Sequence, residues 1–325
     1  MAAPDVHLGY HASHEQFPPG QLLQLVQRAE QAGFTRALSS DHFLPWSEQQ
    51  GESGFAWSWL GAALQATRLG FGVVNAPGQR YHPAIIAQAA ATLAEMFPER
   101  FWVAVGSGQL LNEHITGTHW PDKAARNARL KECVDVMRAL WRGETVTHRG
   151  LVQVQDARLY TLPAQPPLVV GAAITAATAE WVGGWADALL TISRPPEELR
   201  QVIEAFRRGG GEGKPVYVKV QLSYDTTLEK ARQGAHEQWR NNIFDSALLS
   251  EVPLPQGFDA AGKLVKPDEL APSVLISDSP AQHAEWLQQY LELGATHLYL
   301  HNVNRAQEQF IDAFGAHVLP QLQPG

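Results

Sequence analysis

The segment Ser40-Asp41-His42-Phe43-Leu44-Pro45-Trp46 sets a carboxylate beside an imidazole, with an indole four residues beyond the histidine and behind a proline. At the end of a strand, Asp41 and His42 can supply a titrating group and Trp46 a stacking plane over one pocket. That combination suits chemistry on a flat, redox-active ring. The same residues also fit a plainer role, with Asp41 as a helix cap and His42 as a histidine satisfied beside it.

Three further stretches could meet a ligand. In Gly106-Ser107-Gly108-Gln109-Leu110-Leu111-Asn112-Glu113 two glycines let the backbone come close, and Gln109 and Asn112 can then hydrogen-bond the edge of a heterocycle. Gly72-Val73-Val74-Asn75-Ala76-Pro77-Gly78 could lay a backbone amide against a ring. Gly171-Ala172-Ala173 precedes a helix, where free amides and the helix dipole favour a phosphate. Each also reads as an ordinary turn. The 13 histidines include no His-x-His after the first strand and no His-Glu-x-x-His, and the sequence has no cysteine cluster, so metal chemistry has no motif behind it. No Gly-x-Ser-x-Gly elbow supports a serine hydrolase.

Strand-like and helix-like segments alternate along the whole chain. Strands are expected at 6–10, 36–40, 69–75, 101–105, 168–171, 188–192, 216–222 and 298–301. Helices are expected at 21–32, 56–67, 83–96, 123–141, 176–182, 197–207 and from 306. Eight β-then-α units with apolar, β-branched strands imply a closed parallel (β/α)8 TIM barrel. Two departures from the repeat are a hairpin within 144–160 and a helical, lid-like insertion over 226–273 after the seventh strand. Function in such a barrel collects at the strand C-termini, which here carry His11, Asp41, His42, Asn75, Gln109, Arg194 and His301.

The 325 residues show no composition break, and a single barrel domain over 1–325 is expected. A formal charge of −8, with no basic block, argues against nucleic acid or an anionic membrane as partner. The lone Cys133 cannot form an internal disulfide, and the first residues have neither a basic flank nor an apolar core, so a cytoplasmic location is expected.

Several blocks occur in one order: Leu8-Gly9-Tyr10, Ser40-Asp41-His42-Phe43 with Pro45-Trp46, Arg80-Tyr81-His82-Pro83, Gly106-Ser107-Gly108 with Asn112-Glu113, Ala186-Asp187, Ile276-Ser277-Asp278 and His301. In these the chain resembles the luciferase-like monooxygenase superfamily, and within it the F420-dependent glucose-6-phosphate dehydrogenases. The resemblance implies a flavin or deazaflavin held across the strand C-termini by Asp41, Val73, Val74, Asn75, Gly106, Ser107, Gly108, Asn112, Gly171, Ala172, Ala173 and Thr191. It also implies a non-proline cis peptide among Val73, Val74 and Asn75. His42 would be the base or ring partner, Trp46 the family tryptophan, and Arg194 and His301 would face the substrate.

The departures from that family are specific. Gln109 stands where the sugar-phosphate dehydrogenases have a proton-donating glutamate, Ser273 near their phosphate-gripping arginine, Arg194 for their lysine, and Ala173-Ile174 for a Gly-Gly pair. Oxidation of glucose 6-phosphate is therefore not expected. The runs 53–59 and 75–80 look like a branch that returned to ordinary flavin. On that resemblance FMN ranks ahead of F420, with a flavin reductase or NAD(P)H as reductant, a small organic substrate, possible oxygen insertion and a homodimer. Three alternatives stay open. One is an F420-dependent dehydrogenase or reductase. Another is a flavin-binding protein without turnover, since the obvious acid of the pocket is gone. The third is a metal-dependent barrel hydrolase.

Overall fold

The strands are short and most are apolar, and the helices between them carry an apolar stripe on one side, so the strands form a sheet that the helices cover. In a computed structural model describing residues 6–322, the strands are β1 (His7–Ala12), β2 (Arg36–Ser40), β3 (Gly70–Asn75) and β4 (Phe101–Val105). After an antiparallel hairpin of β5 (Val146–Arg149) and β6 (Gln153–Ala157) come β7 (Leu168–Ala172), β8 (Ala188–Ile192), β9 (Val216–Ser223), β10 (Leu275–Ile276) and β11 (His297–Asn302). The parallel order β1-β2-β3-β4-β7-β8-β9-β11 returns to β1 and closes an eight-stranded barrel, with β10 added beside β9. The expected TIM barrel, its hairpin and its helical insertion after β9 are all present.

The first helix, Pro19–Gln31, shows how the outer layer forms. Proline at its start fits the helical φ, and Leu22, Leu25, Val26 and Ala29 bury one face against the sheet. The helix Lys123–Trp141 opens on Asp122, whose carboxylate accepts from the Ala125 amide. Pro280–Glu292, a helix not anticipated from the sequence, is capped by Ser279 and buries Ala284, Leu287 and Tyr290.

Inside the barrel an aromatic plug fills the space between the strands. Trp102 packs against Tyr217 at 5.1 Å and Tyr299 at 5.6 Å between ring centroids. Strand alternation puts His11, Ser40, Lys219 and His301 on the same inward faces as Gly9, Leu38, Tyr217 and Tyr299, one pleat nearer the C-terminal mouth. The floor of the mouth is thus polar over an aromatic base.

β3 ends differently from the family expectation. No cis peptide occurs among the described residues; Asn75 stays in register with Val105, and its carbonyl accepts from the Gly106 amide at 3.0 Å. The ladder runs regularly to the strand end.

Gly72 is required by the plug, because a methyl there would overlap the Trp102 indole. Gly72→Ala should therefore lower stability by about 1–3 kcal/mol through overpacking, read as a lower midpoint in thermal or denaturant unfolding. An unchanged midpoint would show that the plug yields freely.

Candidate active site

The loop after β2 is fixed by a buried electrostatic network. The Asp41 carboxylate accepts hydrogen bonds from Trp57 Nε1 at 3.2 Å, Asn75 Nδ2 at 2.7 Å and Tyr81 Oη at 3.1 Å. Arg80 donates to the Asp41 carbonyl at 2.8 Å and lies 3.5 Å from its carboxylate. The same arginine faces Glu113, whose Oε2 accepts from the Arg80 amide at 2.7 Å and whose Oε1 lies 3.6 Å from Arg80 Nε. Burial raises the pKa of Glu113, while Arg80 pulls it back. Asn112 joins the network to the loop by accepting from the amides of Phe43 at 2.8 Å and Leu44 at 3.4 Å. Asp41 and Asn112 thus hold the loop in place.

The loop delivers His42 to a second carboxylate that sequence reasoning missed. Glu15 is almost wholly buried, and its Oε1 lies 3.5 Å from His42 Nε2. Its Oε2 accepts from Ser13 Oγ at 3.0 Å and Ser40 Oγ at 2.7 Å. Burial alone would raise the Glu15 pKa, but His42, the Ser40 hydroxyl and Lys219 together outweigh it and hold the value near 2. Burial lowers the pKa of His42 below 6.5, with Glu15 opposing and Arg80 assisting that shift. The result is an ionised carboxylate beside a neutral imidazole, an arrangement that receives a proton on the imidazole and stabilises the imidazolium that forms.

Trp46 stands over this pair, its ring centroid 5.0 Å from that of His42. The insertion after β9 holds it: Phe258 meets Trp46 edge-on at 5.3 Å, Asp259 accepts from the Glu48 amide at 3.1 Å, and the Gln238 carbonyl accepts from Gln50 Nε2 at 3.3 Å. The expected lid-like segment packs directly on the loop after β2.

The residues expected to hold a cofactor sit at the C-terminal half of the strands and in the loops after them, but not all of them face the barrel interior. Gly106 faces Ala172 across β4 and β7, Gly108 takes a left-handed φ of 83°, and Ser107 Oγ accepts from Lys123 Nζ at 2.6 Å. Val74 faces the barrel interior, whereas Val73, Gly171 and Thr191 fall on the alternate face, toward the helices. The Thr191 hydroxyl is buried there without a partner. The Asn75 amide oxygen is also buried and unpartnered, at the strand end whose carbonyl accepts from the Gly106 amide. An orphaned amide acceptor next to small residues fits the edge of a planar, hydrogen-bonding heterocycle such as a flavin or deazaflavin.

Gln109 caps the short helix Leu110–Glu113, one turn from Asn112, and contributes no acid. Two other carboxylates lie nearby, Glu15 beside His42 and Glu113 beside Arg80. Arg194 and Ser273 share a cleft of about 190 Å³ with Trp286 and Tyr290, and Arg194 lies 3.8 Å from Glu198. His301 is on the barrel floor, 4.3 Å from His11 and 4.8 Å from Trp239 between ring centroids. Among the described residues no three acidic, histidine or cysteine side chains are grouped to hold a metal, and no helix is long and apolar enough to cross a membrane.

Arg80 compensates two buried carboxylates, so Arg80→Met should cost about 3–5 kcal/mol of stability. The loosened loop should also lower turnover while the protein remains folded below its new melting point. Unchanged unfolding and kinetics would show that Asp41 and Glu113 do not depend on Arg80.

The family model described as luciferase-like monooxygenase matches residues 2–297. The F420-dependent glucose-6-phosphate dehydrogenase of Nakamurella multipartita is 35% identical over 99% of this chain and 98% of its own length. The protein of the same name from Mycobacterium tuberculosis is 32% identical, covering 98% of each chain. Among solved structures, an F420-dependent secondary alcohol dehydrogenase bound to an F420-acetone adduct is 30% identical with a TM-score of 0.92, over 98% of this chain and 100% of that one. The monooxygenase RslO1 from Streptomyces bottropensis shares the fold at a TM-score of 0.74 and 18% identity, covering 97% of this chain and 99% of its own. The chain belongs to the luciferase-like monooxygenase family and is an oxidoreductase on that family's (β/α)8 barrel.

Proposed function

We propose that this oxidoreductase is an F420-dependent dehydrogenase of a small alcohol, able to run in reverse as a reductase of the matching carbonyl compound. The observation that carries the reading is the buried couple of Glu15 and His42, with Nε2 and Oε1 3.5 Å apart. Relatives named for F420-dependent alcohol and sugar-phosphate oxidation, at 30–35% identity over nearly the full chain, support it. This reverses the order drawn from the sequence, where FMN ranked ahead of F420. The FMN ranking rested on two short runs, and the likeness to a monooxygenase structure extends only to the fold.

Bound at the mouth, a deazaflavin supplies a hydride acceptor and donor. The chain's own residues supply the proton chemistry. His42, neutral beside the ionised Glu15, is the base whose imidazole takes the hydroxyl proton. The ionised Glu15 stabilises the imidazolium that forms, and the serine hydroxyls keep Glu15 from turning away. Trp46 excludes water from one side of the imidazole. Gln109 can orient a ligand by hydrogen bonding but cannot donate an acidic proton.

Glucose 6-phosphate lies outside this proposal. In the cleft of Arg194 and Ser273, one guanidinium already shared with Glu198 offers a phosphate dianion little.

Titration with F420 and with FMN, followed by fluorescence, tests the cofactor, and a panel of small alcohols with F420 tests the reaction. F420 should bind at micromolar concentration and more tightly than FMN, and glucose 6-phosphate should not be oxidised. His42→Ala should keep the cofactor and lower turnover by roughly 10²–10⁴, the contribution of a lost general base. Tight FMN binding with no response to F420 would return the reading to an FMN oxidoreductase.

A further inference from the structure

Lys219 enters the chemistry above only through its field on Glu15, yet it projects from β9 toward the same mouth. It is the single cation projecting from the inward face of β9, between Tyr217 and Gln221, in a strand otherwise built of apolar and neutral residues. Among the described residues its ammonium makes no hydrogen bond or ion pair, and its one ring contact is with Trp239 at 5.6 Å. Glu15 acts on it electrostatically but is already engaged by Ser13, Ser40 and His42. The field of Lys219 reaches His11, His42 and His301, which places all three around the same space. Nδ1 of His11 and of His301, both nine-tenths or more buried, also lack partners. Lys219 is half-buried at the mouth and its three ammonium donors have no acceptor there among the described residues, so an anionic ligand entering the mouth can complete them.

We infer that Lys219 determines substrate specificity by binding a singly charged carboxylate, so that the alcohol oxidised at His42 belongs to a small hydroxy acid. The inference rests on the hydride-transfer reading above. Oxidation would pass the hydroxyl proton to the His42 imidazole and the carbinol hydrogen, as hydride, to the oxidised deazaflavin. A keto acid is left, still held at Lys219. A monoanion is favoured over phosphate because Glu15 keeps one negative charge in the same chamber, and a dianion would meet it.

The test is calorimetric titration of F420-loaded protein with lactate, with its neutral isostere lactamide and with inorganic phosphate. Lactate should bind roughly tenfold or more tightly than lactamide, as expected for a charge-assisted contact in a buried site. Lys219→Met should bring the two to equal affinity while F420 affinity, measured separately by fluorescence, stays within about twofold of wild type. If Lys219→Met does not fold, Lys219→Gln keeps a polar head in the chamber and should level the two ligands in the same way. A lactate preference that survives either substitution, its absence from the wild type, or phosphate binding more tightly than lactate would overturn the inference. Failure of F420 to bind would strike the cofactor reading instead, and the lactate-to-lactamide comparison on the protein as isolated would still decide the role of Lys219.

Discussion

Glu15 has almost no solvent contact, and a carboxylate in that position stays ionised only if its surroundings replace water. Two serine hydroxyls occupy one oxygen, an imidazole faces the other, and an ammonium from β9 adds its field. These groups come from β2, β9 and the loops after β1 and β2, so the carboxylate can exist in this state only where the barrel is closed. His42 in turn depends on Glu15, because burial alone drives its pKa further down. The chemistry of the mouth therefore follows from how one buried charge is compensated.

The second buried network, Asp41 with Arg80 and Glu113, works at one remove. It contributes no reacting atom; it sets where the backbone delivers His42. The insertion after β9 reaches the same loop from the other side through Phe258, Asp259 and the Gln238 carbonyl. Trp46 is held between the two. A barrel is rigid at its strands and free in its loops, and here each flank of the catalytic loop is tied to a separate element.

Much of this was legible in the sequence, for identifiable reasons. Helical periodicity with a good cap gave Lys123–Trp141 its full extent, and regular alternation of strands and helices gave the closed barrel. The Asp41-His42 step and the Gly106-Ser107-Gly108 turn fall on one mouth because all strand C-termini do. Pro280–Glu292 passed unnoticed although Ser279-Pro280 is a sound helix start. Glu15 was hidden for a different reason. Ser13-His14-Glu15-Gln16 reads as a polar loop, and only the fold reveals that all four residues are buried. Lys219 did leave a signal, since a lysine two residues from Tyr217 and two from Gln221 must share their face of the strand. Arg80 and Glu113 belong to motifs that carry the family resemblance, but their pairing across 33 positions is a tertiary fact.

The account turns on the coupling of Glu15 to His42, and NMR titration of the His42 ring measures it directly, with His42→Ala assigning the resonance. In the wild type the midpoint should lie below 6.5, since burial outweighs the carboxylate. Glu15 raises that pKa, so Glu15→Gln should move the midpoint lower still. A wild-type midpoint at or above 6.5, or an upward move in Glu15→Gln, would contradict the account.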